Sequence, residues 1–102
     1  MNEHEAINVL AEYLKDQGFD IEISKTSKSL QIMVNQTSYI DIHYQSRFKT
    51  YKTHYFNQML EGIDVSIENP YCFQKIREWV KSIINRQPYP KSQEQPSSAS
   101  LQ

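Results

Sequence analysis

Residues 29–44 read SLQIMVNQTSYIDIHY, and this stretch decides the fold. Leu30, Ile32 and Val34 alternate with polar positions and with Met33, then Ile40, Ile42 and Tyr44 alternate with Tyr39, Asp41 and His43. A period of two puts one set of side chains in a core and the other on an opposite face. Between the two runs, Asn35 to Ser38 has the composition of a tight turn. The pair therefore predicts two antiparallel strands with one face toward solvent. Asn35-Gln36-Thr37 also fits a glycosylation sequon, but with no secretory signal it reads as turn chemistry.

The same alternation extends upstream. Phe19, Ile21 and Ile23 alternate with Asp20, Glu22 and Ser24, which adds a strand over 19–24. Before it, Ile7, Leu10, Ala11 and Leu14 recur at helical spacing, so residues 3–17 form a helix. Asn2 suits its cap with Glu5 three positions on, and Gly18 supplies the left-handed residue that ends it.

Downstream, residues 47–60 carry two signals. Phe48, Tyr51, Tyr55 and Met59, with Phe56, Leu60 and Ile63, fit a helical stripe ending at Gly62. Against it, Phe48, Tyr51, Thr53, Tyr55 and Phe56 are strand formers, and cations open the segment where a helix favours anions. The reading favours a fourth strand over 47–56, then a helical turn through Met59 and Leu60. Residues 63–68 alternate again as a short strand or extended connector. Asn69-Pro70 then resembles a helix start, and Phe73, Ile76, Val80 and Ile83 give an amphipathic helix to about Arg86.

These elements predict an α+β fold: a small two-layer domain over residues 1–86 with an antiparallel sheet of three to five strands. The N- and C-terminal helices pack on one face, in the order α-β-β-β-(β)-α. Residues 87–102, rich in Pro, Ser and Gln, cannot bury a core and read as a disordered tail. The order helix, three strands, helix is shared with double-stranded RNA-binding domains, which set lysines at the start of their second helix. Here that helix opens with Asn69-Pro70-Tyr71-Cys72 and the first helix is acidic, so no family resemblance follows.

The 102 residues carry a net charge of −1, which excludes bulk electrostatic attraction to nucleic acid or membrane. The charge is nonetheless segregated. Residues 1–23 hold six acids against Lys15, and residues 24–60 hold five bases against Asp41. A single cysteine, Cys72, excludes an internal disulfide. No signal-peptide pattern and no apolar run of membrane-spanning length occurs, so the expectation is a cytoplasmic protein without a membrane partner.

No catalytic, cofactor or metal site is expected. If the hairpin turned at Gln45-Ser46, His54 would stand about 20 Å from His43 along the strand. One cysteine gives no thiolate pair, and Gly18 and Gly62 belong to no phosphate loop. Asp41 and His43 share a strand face and can orient one another. Cys72 falls on the apolar stripe of the last helix and reads as a buried structural residue.

The densest feature is 43–56, HYQSRFKTYKTHYF, which has three fixed cations, two histidines, five aromatics and no acid. Tyr and Arg are enriched at protein-binding hot spots, and cations interleaved with rings also grip single-stranded nucleic acid. The expectation is a non-enzymatic binding protein with a protein partner, acting as an inhibitor or adaptor of a nucleic-acid-handling complex. Its contact residues would be Arg47, Phe48, Lys49, Tyr51, Lys52, His54 and Tyr55. Direct nucleic-acid binding by the same segment is the alternative.

Overall fold

Asn2 sets the start of the chain's first helix. A computed structural model describes residues 1–23, 28–56 and 61–86. In it the Asn2 side chain accepts from the Glu5 backbone N–H at 2.8 Å, and the Glu5 carboxylate accepts from the Asn2 N–H at 3.2 Å. This reciprocal pair satisfies two donors that a helix start leaves open. The helix, α1, runs Glu3–Asp16. At its end Phe19 N–H donates to the Leu14 carbonyl and Gly18 N–H to that of Lys15. The reversal needs Gly18 at φ 95°, a conformation that costs an L-residue strain.

Five strands follow in chain order: β1 (Glu22–Ile23), β2 (Ser29–Met33), β3 (Tyr39–Gln45), β4 (Thr50–Phe56) and β5 (Asp64–Ser66). They pair sequentially as one antiparallel meander, and α2 (Cys72–Asn85) completes the chain of elements. The predicted α+β order is thus the observed one, with five strands. Of the strand expected over 19–24, the described residues 19–23 are paired at Glu22 and Ile23. The helical turn expected at Met59 and Leu60, and the tail 87–102, lie outside the described residues.

Alternation does the sorting. Leu30, Ile32, Ile40, Ile42, Tyr44, Tyr51, Tyr55 and Val65 are buried, as are Ala6, Ile7, Leu10, Ala11 and Leu14 of α1. Cys72, Ile76, Val80 and Ile83 of α2 join the same cluster. Helix α1 packs over β2 and β3, and α2 over β5 and against α1. Both helices therefore lie on one face of the sheet, and among the described residues no helix packs on the other.

Two details depart from the sequence reading for physical reasons. First, the β3–β4 hairpin turns through the four residues Ser46–Lys49, closed by the Gln45↔Thr50 pair, with Lys49 at φ 51°. The longer turn resets the register, so His54 stands opposite Asp41 and His43 opposite Lys52. Second, Asn69 does not cap α2. Its side chain accepts from Tyr71 N–H at 2.8 Å in a turn ahead of the helix, and the cap position, Tyr71, has no side-chain cap bond.

Gly62 has a role that the helical stripe obscured. A Cβ there would fall 2.0 Å from the Thr53 carbonyl oxygen. Only glycine lets the chain entering β5 approach β4 this closely. The buried Thr53 hydroxyl fills the resulting gap in the ladder: it donates to the Ile63 carbonyl and accepts from the Ile63 N–H, both at 2.8 Å.

Candidate functional site

The strand period divides the 43–56 segment between two faces. Tyr44, Tyr51 and Tyr55 point under the helices, while His43, Lys52, His54 and Phe56 stand on the uncovered face. Arg47, Phe48 and Lys49 sit at the exposed hairpin turn.

Tyr51 and Tyr55, expected as partner contacts, are therefore corrected to core residues. Tyr51 is fully buried, and its hydroxyl donates to the Ala6 carbonyl at 2.7 Å, tying β4 to α1. Its ring lies 5.0 Å from Tyr44 and edge-on to Phe73 of α2 at 5.9 Å. It thus joins the sheet to both helices, a packing role that a side chain facing a partner could not perform. The Tyr55 ring is buried too, with its hydroxyl near that of Ser38.

The cations are partly neutralised in place. Lys52 Nζ meets Asp64 of β5 at 3.2 Å, and Lys49 Nζ meets Glu68 at 3.7 Å. Such exposed pairs contribute little to stability, but they offset the positive charge the bare segment suggested. The Arg47 guanidinium lies 5.6 Å from the centre of the Phe48 ring.

What the uncovered face does hold is a continuous row of apolar and ring side chains. Met33, Tyr39 and Phe56 are register partners across β2, β3 and β4. Tyr39 and Phe56 stack at 4.9 Å, Phe56 is 5.9 Å from His54, and His54 is 5.9 Å from His43 in a near-parallel stack. Met33 is 58% exposed and Phe56 39%, although each has cross-strand neighbours to lean on. Sequence reasoning set Met33 and Tyr39 outward but did not join them to Phe56, because the joining depends on the register.

His43 and His54, expected about 20 Å apart, are thus ring neighbours. The four-residue turn removes the separation on which the absence of metal ligands was argued. His43 Nδ1 lies 3.7 Å from the Asp41 carboxylate. One donor atom from each of Asp41, His43 and His54 falls within 4.8 Å of the others. These three residue types in such a cluster can bind a transition metal ion. Asp41 and His43 also wall an open groove of about 580 Å³ that runs to the hairpin turn.

Elsewhere, Cys72 is 4% exposed, and burial pushes its thiol up to about 11. It is protonated at neutral pH and shielded, as befits a structural cysteine. Among the described residues no helix is long and apolar enough to cross a membrane. No family model, curated protein or solved structure matches the chain.

Proposed function

We propose that this chain is a non-enzymatic, cytoplasmic binding protein that takes a protein partner on the open face of its sheet. The observation that carries the reading is the Met33–Tyr39–Phe56 row, which crosses three strands and is covered by neither helix. A partly exposed apolar centre bordered by polar groups such as Gln31, Asp41, Lys52 and Asp64 has the composition of a protein-binding patch. Arg47 and Phe48 stand exposed at the hairpin turn, at the other end of β3 and β4. The partner is one with an apolar anchor for the row. The acids of α1 lie in the helix layer behind the sheet and offer a separate surface that suits a basic one, as an inhibitor or adaptor of a nucleic-acid-handling assembly would meet.

Direct binding of single-stranded nucleic acid is the second reading, favoured by the stacked Tyr39 and Phe56 rings. The engagement of Lys49 and Lys52 by Glu68 and Asp64 weighs against it, because a phosphate backbone needs those cations.

The test is affinity capture with the full chain and with a Tyr39→Ser/Phe56→Ser variant, both checked for the same melting temperature. A defined protein retained by the wild type and lost by the variant supports the reading. A partner held equally by both removes this face from it. Oligonucleotide binding that weakens steeply with salt, and whose slope flattens on replacing Arg47, Lys49 and Lys52 by Ala, would favour the second reading instead.

A further inference from the structure

We propose that Asp41, His43 and His54 form a binding site for a divalent transition metal of the zinc class on the open face of the sheet. Topology brings the three together. Asp41 and His43 lie two apart on β3 and so share a face, and His54 of β4 stands directly opposite Asp41. One carboxylate and two imidazoles are ligands that zinc accepts, with donor distances of about 2.0–2.2 Å. Tetrahedral donors at that distance stand about 3.4 Å apart. The three donors here lie within 4.8 Å of one another, and the closest named pair, His43 Nδ1 and Asp41 Oδ2, is at 3.7 Å. Small rotations of side chains that border open solvent close the remainder.

The surroundings suit a cation. Asp41 is four-fifths covered, with 20% of its side chain exposed, and among the described residues no lysine or arginine pairs with it. Among the described residues its one ion-pair partner is His43. A partly covered carboxylate beside two imidazoles offers a metal ion one charged and two neutral donors. Lys52, the register partner of His43, would repel such an ion, but Asp64 draws its ammonium toward β5 at 3.2 Å. Three protein ligands on an open face leave at least one coordination position for water. The site stands independently of the partner reading, since it needs the metal alone.

Calorimetric titration of the full chain with zinc chloride tests this. One zinc per chain is expected, with His43→Gln and His54→Gln each weakening binding about tenfold or more and His4→Gln leaving it unchanged. In parallel, the ring signals of His43 and His54, and not of His4, should shift in NMR spectra of the wild-type chain on adding zinc. That second readout holds even where a variant folds poorly. An absence of saturable binding up to about 1 mM zinc would overturn the site. So would undiminished binding by a folded His43→Gln/His54→Gln variant, or zinc-induced shifts confined to His4.

Discussion

The two faces of the β3–β4 hairpin carry similar residue types and do opposite work. Inward, Tyr44, Tyr51 and Tyr55 are buried beneath the helices; outward, Tyr39, His43, His54 and Phe56 make a ring row that neither helix covers. Tyr55 packs inside the domain, and Tyr39, next to the register partner of Tyr55 on the facing strand, lies on the face that neither helix covers. The distinction lies in the pleat and not in composition. Substitutions on the two faces should therefore separate stability from binding.

The largest effect belongs to the inner face. Tyr51→Ala removes a fully buried ring and its hydrogen bond to α1, and should cost about 3–5 kcal/mol in denaturant unfolding. Tyr51→Phe, which loses the hydroxyl alone, should cost about 1 kcal/mol. A Tyr51→Ala protein as stable as the wild type would break the contrast at its strongest point.

Alkaline pH probes the same core. The folded chain holds the Cys72 proton up to about 11, whereas the unfolded chain releases it near the ordinary value of 9.0. Between these values the folded state binds more protons, so stability falls as pH rises through the window. The loss from this group is about 3 kcal/mol when complete, at 1.36 kcal/mol per pH unit. Burial first, and then the neighbouring Cys72, raise the Tyr51 hydroxyl as well, which steepens the fall. Unfolding free energies for wild type and Cys72→Ala over this range should show a shallower slope in the variant.

At the β4–β5 junction, Gly62→Ala drives a methyl into the Thr53 carbonyl and should cost about 1–3 kcal/mol, measured as a drop in melting temperature. On the outer face, Phe56→Ser and Tyr39→Ser should each change stability by no more than about 0.5 kcal/mol, with binding lost. A large melting shift from these would sharpen the contrast in the other direction, by making the row structural.

The fold was legible where patterning is local. Asn2, Glu5 and Gly18 marked both ends of α1, and alternation at 29–44 set β2, β3 and their inner face. Lys49 concealed the rest: lysine is no turn signal, yet it takes the left-handed position that makes the hairpin turn four residues long. With the turn misplaced, the register was wrong, and so was the distance between His43 and His54. Tyr51 and Tyr55 were misassigned differently. They were grouped with their basic neighbours as one surface, although the period of two already placed them opposite Lys52 and His54. Gly62 was legible only as a punctuation mark, since a close backbone approach leaves no trace in a single sequence.

The most direct measurement is hydroxyl-radical footprinting of the chain, alone and with a captured partner. Binding on the open face predicts protection of Met33, Tyr39 and Phe56, with unchanged labelling of Tyr71 on the helix side. Protection of Tyr71 with Met33 and Phe56 still fully labelled would contradict it.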